Sequence, residues 1–498
     1  MERGAKLIAV LSFLFLIFIP VSGQPAPPEV EWSKHFGDIS FERGRSVQQT
    51  SDCGYIIVGT ADSRWGGDDI YLLKTDSKGK EQWNHYFGGR RSDAGYSVQQ
   101  TKDGGYIIVG TTVLKESNDV YLIKANSDGF EEWTKFYKKD IAYEAGYSVQ
   151  QTKDGGYIIV GEEYYSHFEE KPNANIFIIK TDSNGNEEWT RDISYGLFAF
   201  GRSVQQTTDG GYIIVGATVV SDSSTAMLLI KLNGNGTEQW RKILDTAHDD
   251  WGVSVQQTYD GGYIVAGSSD IYAYLVKTDK DGNEEWNKKI GEEGAAVSAC
   301  SVQQTTDHGY ILVGNRTRGE KADIYVVKTN PQGEQEWIMP FAVESEYAKG
   351  YSVKQTTDGG YILAGEAIFP SKSEDIYLIK LKQPGEARIQ IIGPENDVAF
   401  PKGSTPSLVE FVWNSLGFEK FQIQFSADRT FPESQTLTAP DTKNPKLWMC
   451  KTSYQPNQTI ADEISAMAGS YGIIYWRIRG STAADKTGFS ETRSFRIR

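Results

Sequence analysis

The chain holds 498 residues, more than one ordinary domain needs. Its formal net charge is −15 with no Lys/Arg-rich run, which argues against a nucleic-acid partner, because phosphate binding requires a basic surface. With 27 Tyr, 22 Phe, 12 Trp and 51 Gly, the composition points to all-β structure with many turns.

Residues 1–23 read as a secretory signal peptide. Arg3 and Lys6 open it, Leu7 to Ile19 is almost wholly apolar, and Pro20 with Ser22 and Gly23 forms a cleavage zone before Gln24. An uncleaved anchor is the alternative. No Cys follows, so a lipoprotein anchor is not supported, and no later segment approaches the ~20 apolar residues of a membrane span. The expected location is secreted, extracellular or at the cell surface.

From residue 24 to 382 the chain repeats itself. Ser-Val-x-Gln-Thr starts at Ser46, Ser97, Ser148, Ser203, Ser254, Ser301 and Ser352, mostly 51 residues apart. Each copy leads into a turn and an apolar run, as in Asp103-Gly104-Gly105-Tyr106 followed by Ile107 to Gly110. A variable loop follows, then an alternating run such as Asp69 to Lys74, then a Gly turn and a Trp strand such as Gly79 to Trp83. Four short strands per unit, seven times over, predict a seven-bladed β-propeller.

The tryptophans Trp32, Trp83, Trp133, Trp189, Trp240, Trp286 and Trp337 set the phase. The first precedes the first repeat and none follows the seventh. The segment Glu31 to Phe36 is therefore expected to supply the outermost strand of the last blade, against Asp375 to Leu381, leaving no open seam. The second glutamine recurs in all seven units, as Gln49, Gln100, Gln151, Gln206, Gln257, Gln304 and Gln355, whereas the first becomes Lys354 in the last. A catalytic group is needed once, so sevenfold repetition marks these amides as structural, bonding between blades on the innermost strands.

This layout resembles kelch-like propellers: an inner strand, a Gly-bearing second, an Asp-Tyr third and a Trp fourth. The turn wording Gly-Asn-Glu-Glu-Trp189 also resembles the Trp motif of quinoprotein-type propellers, which typically have eight blades. Over roughly residues 30 to 382 the chain looks like exported repeat propellers of archaea and bacteria. That likeness implies a fold and leaves the activity open.

Gln383-Pro384-Gly385 opens a linker at 383–388. Residues 389–498 alternate strongly, for example Phe421, Ile423 and Phe425, and are expected to form an immunoglobulin-like β-sandwich. "GIIYWRIRG" and "SETRSFRIR" resemble the last two strands of fibronectin type III domains, which most often serve as spacers or adhesion units.

Catalytic chemistry finds little purchase. The five His (35, 85, 167, 248 and 308) lack ligand spacing, so no metal and no cofactor is expected. The turns at Asp182 and Asp279 place Gly too early for a calcium loop and read as hairpin turns. The sialidase aspartate box is approached at Asp76, Gly79 and Trp83, but each spacing is one residue too wide. No nucleophile elbow occurs. Cys53, Cys300 and Cys450 lie far apart and are read as packed thiols. Asn235, Asn315 and Asn457 match the N-glycosylation acceptor pattern.

In an antiparallel blade the first and third turns emerge on one face of the ring, the second turn and the crossover on the other. Here the first face is monotonous and the second varies. Unique loops on a rigid scaffold tend to carry function, so the candidate binding residues are Trp65, Tyr164, Tyr165, Phe198, Phe200, Asp249, Asp250, Trp251 and Glu292. The alternative for the aromatics is a seal on the blade ends. The leading expectation is a non-catalytic binding or scaffold protein with a glycan or protein ligand. A carbohydrate-active enzyme, with Asp249 and Glu292 the first carboxylates to inspect, and a structural envelope or matrix component are the alternatives.

Overall fold

The computed structural model describes residues 25–382 apart from 38–40, 63–65, 115–116, 139–141, 166–172, 222–223, 245–247, 343–346 and 370–373. Beyond them it describes the strand segments 388–393, 398–400, 411–416, 420–426, 436–439, 453–454, 473–481, 487–489 and 493–497. The expected signal peptide, the linker at 383–387, Trp65 and Asn457 lie outside the described residues.

Seven four-stranded antiparallel units follow one another along the chain. The first runs Glu42–Gln49, Tyr55–Asp62, Asp68–Thr75 and Glu81–Phe87, inner strand to outer. Units three and four are additionally joined by a single parallel bridge, Ala174 to Phe198. The seventh is completed as the tryptophan phase predicts: Val30–Phe36 pairs antiparallel with Glu374–Leu381, Trp32 opposite Lys380 and Phe36 opposite Ile376. The ring is thus an all-β propeller closed by its N-terminal strand.

Each second strand carries a glycine for a steric reason. A Cβ at Gly59 would lie 1.6 Å from the Arg43 carbonyl oxygen on the inner strand. The apolar core lies between consecutive blades. Ile56, Val58, Ile70 and Leu72 of blade 1 pack on Tyr106, Ile108, Tyr121 and Ile123 of blade 2. Ile57, Tyr71 and Leu73 pack on Ile362, Ala364, Ile376 and Leu378 of blade 7, with Trp32 and Phe36 against them. Every outer-strand tryptophan meets the next blade's tyrosine at 5.7–6.1 Å, from Trp32–Tyr55 round to Trp337–Tyr361.

Three lanes of hydrogen bonds stitch the inner strands together. In the first, each blade's valine N–H donates to the preceding blade's serine Oγ, and Val47 to Ser352 Oγ closes the circle at 3.2 Å. In the second, the repeated second glutamine accepts a turn N–H from the preceding blade at 2.8–3.0 Å, closing with Thr357 N–H to Gln49 Oε1. In the third, the first glutamine accepts the next blade's Gln N–H, six times from Gln48–Gln100 to Gln303–Gln355. That lane stops at Lys354, whose ammonium has no acceptor to offer.

A further sevenfold element is a lysine at the end of each third strand. Lys124 Nζ, for instance, reaches Asp103 at 3.1 Å and Glu132 at 2.9 Å, while Asp103 also accepts from Thr101 Oγ1 and Gly105 N–H. The repeated turn aspartates are therefore structural. One cysteine departs from expectation: Cys53 is disulfide-bonded, not a packed thiol. Cys300 is free.

In the C-terminal segment, Arg388–Gly393, Phe411–Leu416 and Ser453–Tyr454 form one sheet. Val398–Phe400, Lys420–Ser426, Thr436–Ala439, Ile473–Ser481, Thr487–Phe489 and Arg493–Ile497 form a second. Among the described residues no helix is long and apolar enough to cross a membrane.

Candidate functional site

The two faces of the ring differ in chemistry. On one, every first turn repeats the Thr–Asp–Gly–Lys bonding described above. The third turns repeat an Asx turn in which Asp182 Oδ1 accepts from Asn184 and Asn186 N–H, both at 2.8 Å. The other face is built from the second turns, the crossovers and the outer ends of the inner strands, and there the repeat gives way to individual residues.

The sharpest departure is the position just before each repeated serine. It holds Arg45, Tyr96, Tyr147, Arg202, Val253, Cys300 and Tyr351 on blades 1 to 7. The seven inner strands touch in a closed ring, so these side chains meet around the axis. The Arg202 guanidinium lies 4.3 Å from the Tyr147 ring centre, and Tyr147 meets Tyr96 edge-on at 5.0 Å. On the opposite arc the Arg45 guanidinium lies 4.2 Å from the Tyr351 ring.

Two carboxylates from second strands complete the set. Tyr147 Oη donates to Glu162 Oε1 at 2.6 Å, and Tyr351 Oη to Glu366 Oε1 at 2.8 Å. Glu162 also lies 3.3 Å from the Arg202 guanidinium, and Glu366 3.4 Å from Arg43. Burial, foremost, raises the pKa of Tyr96, Tyr147 and Tyr351 and keeps these phenols protonated. Burial likewise raises that of Glu366. Cys300 is pushed up to about 11 by burial, which makes it a protonated, unreactive thiol.

The sequence candidates divide around this cluster. Phe198, Phe200 and Trp251 come together: Phe198 and Phe200 are parallel within 3° at 6.3 Å, and Phe200 meets Trp251 of blade 5 at 5.6 Å and 25°. All three are half-buried. Arg202, two residues after Phe200, lies 6.0 Å from its ring and links this row to the axis. Tyr164, 37% exposed, and Tyr165, whose hydroxyl donates to Glu163, stand at the rim of blade 3.

The acidic candidates are engaged elsewhere. Asp249 Oδ1 accepts from Thr225 N–H at 3.0 Å and from its hydroxyl, pinning the third strand of blade 4. Asp250 is fully buried. Glu292 is ion-paired with Arg316 at 2.8 Å and with Arg318. The Arg316 hydrogen bond, foremost, lowers its pKa, the wrong direction for a general acid. Asn235 lies exposed in a third turn. Asn315 donates to the Cys300 sulfur at 3.4 Å and accepts from Gly350 N–H at 2.9 Å, so both ends of its amide are in use.

The same face holds an open cleft of about 340 Å³ where the crossover into blade 2 meets that blade, lined among others by Arg90, Arg91, Asp93, Tyr121 and Phe136. Among the described residues no group of three or more His, Cys, Asp or Glu is placed to hold a metal ion. Sequence reasoning missed Arg45, Arg202 and the tyrosines between them. The available signal was the one inner-strand position whose chemistry changes while its neighbours repeat.

No protein-family model and no curated protein matches this chain. Among solved structures it is similar to Sqt1 from Chaetomium thermophilum, with a TM-score of 0.41 and 11% identity over 67% of this chain and 83% of that one. A likeness that distant carries no argument, and the fold rests on the strand pairing above.

Proposed function

We propose that this propeller is a non-catalytic binding or scaffold protein that takes a glycan or protein ligand on its variable face. One observation carries the reading. Phe198, Phe200 and Trp251 form a half-buried row of near-parallel rings across two blades, joined by Arg202 to a ring of non-repeated side chains at the axis. Aromatic platforms of this kind serve as contact anchors. The opposite face spends its polar groups on its own turns.

Export to the cell exterior belongs to the same proposal. It is supported by the signal-like residues 1–23 and by the disulfide at Cys53, since such bonds persist in oxidising compartments. We assign the C-terminal strands to a fibronectin type III-like spacer, on the wording of Ile473–Ser481 and Arg493–Ile497, which pair antiparallel.

The test is an array of glycans and envelope proteins probed with the full chain. Trp251→Ala is expected to weaken the captured interaction by about thirtyfold, the effect of losing an anchor of ~2 kcal/mol, at unchanged melting temperature. Retained binding with lost stability would make the row a seal on the blade ends and overturn the reading.

A further inference from the structure

We infer that the axial mouth on the variable face binds the anionic group of an acidic saccharide, with the Arg45 guanidinium as its anchor. The inference rests on the binding reading above and names the ligand chemistry for that face.

Four cations gather at the outer ends of the inner strands: Arg43, Arg45, Arg202 and Lys349. Two have carboxylate partners, Arg43 with Glu374 at 2.9 Å and Arg202 with Glu162 at 3.3 Å. The other two rest on rings. Lys349 Nζ lies 5.1 Å from the Tyr347 ring centre, and the Arg45 guanidinium 4.2 Å from that of Tyr351. Arg45 Nε is buried and meets no hydrogen-bond acceptor among the described residues. Arg45 has no direct carboxylate ion pair among the described residues and is only partly buried, so its guanidinium can pair with an incoming oxyanion.

The carboxylates beside these cations are already engaged: Glu162 with Arg202 and Tyr147, Glu366 with Arg43 and Tyr351, and Glu374 with Arg43. Burial favours the neutral form of Glu366. Arg45 and Arg202 occupy the same position on inner strands that touch in a closed ring, Arg45 on the Tyr351 ring and Arg202 on that of Tyr147.

The neighbouring surface selects the rest of the ligand. Phe198, Phe200 and Trp251, spaced at 6.3 and 5.6 Å, present apolar rings beside Arg202, across the axis from Arg45. Pyranose C–H faces stack on such rings, while a carboxylate or sulfate on the same chain pairs with the guanidinium fork. An acidic peptide would satisfy the arginine and leave the aromatic row unused.

Calorimetric titration of the full chain with a galacturonic-acid hexamer tests this. Its neutral methyl ester, a sulfated oligosaccharide of equal length and hexaglutamate are the comparison probes. The acidic hexamer or the sulfated chain is expected to bind roughly tenfold or more tightly than the ester, with affinity falling as salt rises. Arg45→Gln abolishes that preference, and Arg45→Lys retains part of it. If Arg45→Gln fails to fold, Lys349→Gln is read for the same loss of preference. Equal affinity for acid and ester, a preference that survives Arg45→Gln, or binding of hexaglutamate alone overturns the inference. Acid and ester binding equally but losing affinity in Trp251→Ala would overturn it while leaving the broader binding face standing.

Discussion

A glutamine pair repeated along a chain is unusual on an inner strand, where blades crowd closest. The two amides divide the work. The second accepts a turn N–H from the preceding blade, and the first accepts a strand N–H from the next. Both lanes bind neighbouring blades through polar contacts where the inner strands run side by side. Lys354 breaks the first-glutamine lane, since an ammonium donates only, and burial lowers its pKa. Lys354→Gln restores the missing acceptor for Gln49 N–H and is expected to stabilise the ring by about 1 kcal/mol, read as a higher denaturant midpoint at unchanged slope. A lower midpoint would show that the lysine has a partner of its own in the ring. His308 is a second departure. It holds φ +65° where Gly104 and Gly155 hold the equivalent turn, and its ring meets Tyr259 at 5.1 Å.

Each blade is held by a polar staple as well as an apolar face. The third-strand lysine is nearly buried and reaches back to the aspartate of the first turn, as in Lys231–Asp209 at 3.0 Å. Burial opposes ionisation of Asp209, but hydrogen bonds from Thr207, Gly211 and Lys231 prevail and hold its pKa at about 2. Asp103, Asp154, Asp260 and Asp307 are lowered by the same set of partners. A carboxyl whose folded pKa is depressed contributes stability above its unfolded value and loses it as pH falls through the folded one. Stability is therefore expected to decline between about pH 4 and pH 2, measured as the urea midpoint against pH. Asp209→Asn should lower the midpoint at neutral pH and make the acid decline shallower. Asp93 runs the other way: burial, foremost, raises its pKa, and its contribution fades as pH rises.

The ring as a whole depends on its first strand. Val30–Phe36 supplies Trp32, whose indole meets Tyr55 of blade 1 at 5.8 Å and lies over Gly79, where a Cβ would come within 2.8 Å of it. The strand therefore belongs to blade 7 by hydrogen bonding and clamps blade 1 by packing. Trp32→Ala is expected to cost about 2–3 kcal/mol, seen as a lower melting temperature. Removing the strand should cost more and leave Glu374–Leu381 as a bare edge, detectable as concentration-dependent association. A monomeric ring of unchanged melting temperature would refute the closure. Closure also fixes the functional geometry, because it brings Arg45 of blade 1 against Tyr351 of blade 7.

Blade number, strand order and closure were legible in the amino-acid sequence because each repeat is a local unit. Its turns, its alternation and its contacts with the next unit recur every 51 residues or so, and Trp32 without a preceding repeat betrays the circular phase. The aromatic row was half legible: Phe198, Phe200 and Trp251 stood out as unique, but nothing in their spacing showed that they align across two blades. The axial cluster was not legible at all. Arg45 and Arg202 lie 157 positions apart in a chain of 498, and their stacking on Tyr351 and Tyr147 comes from seven strands converging on one axis. The burial of Asp250, the Arg316 partner of Glu292 and the disulfide at Cys53 were likewise outcomes of assembly. Local pattern specifies a blade, whereas the meeting of single, non-repeated side chains requires the curvature of the closed ring.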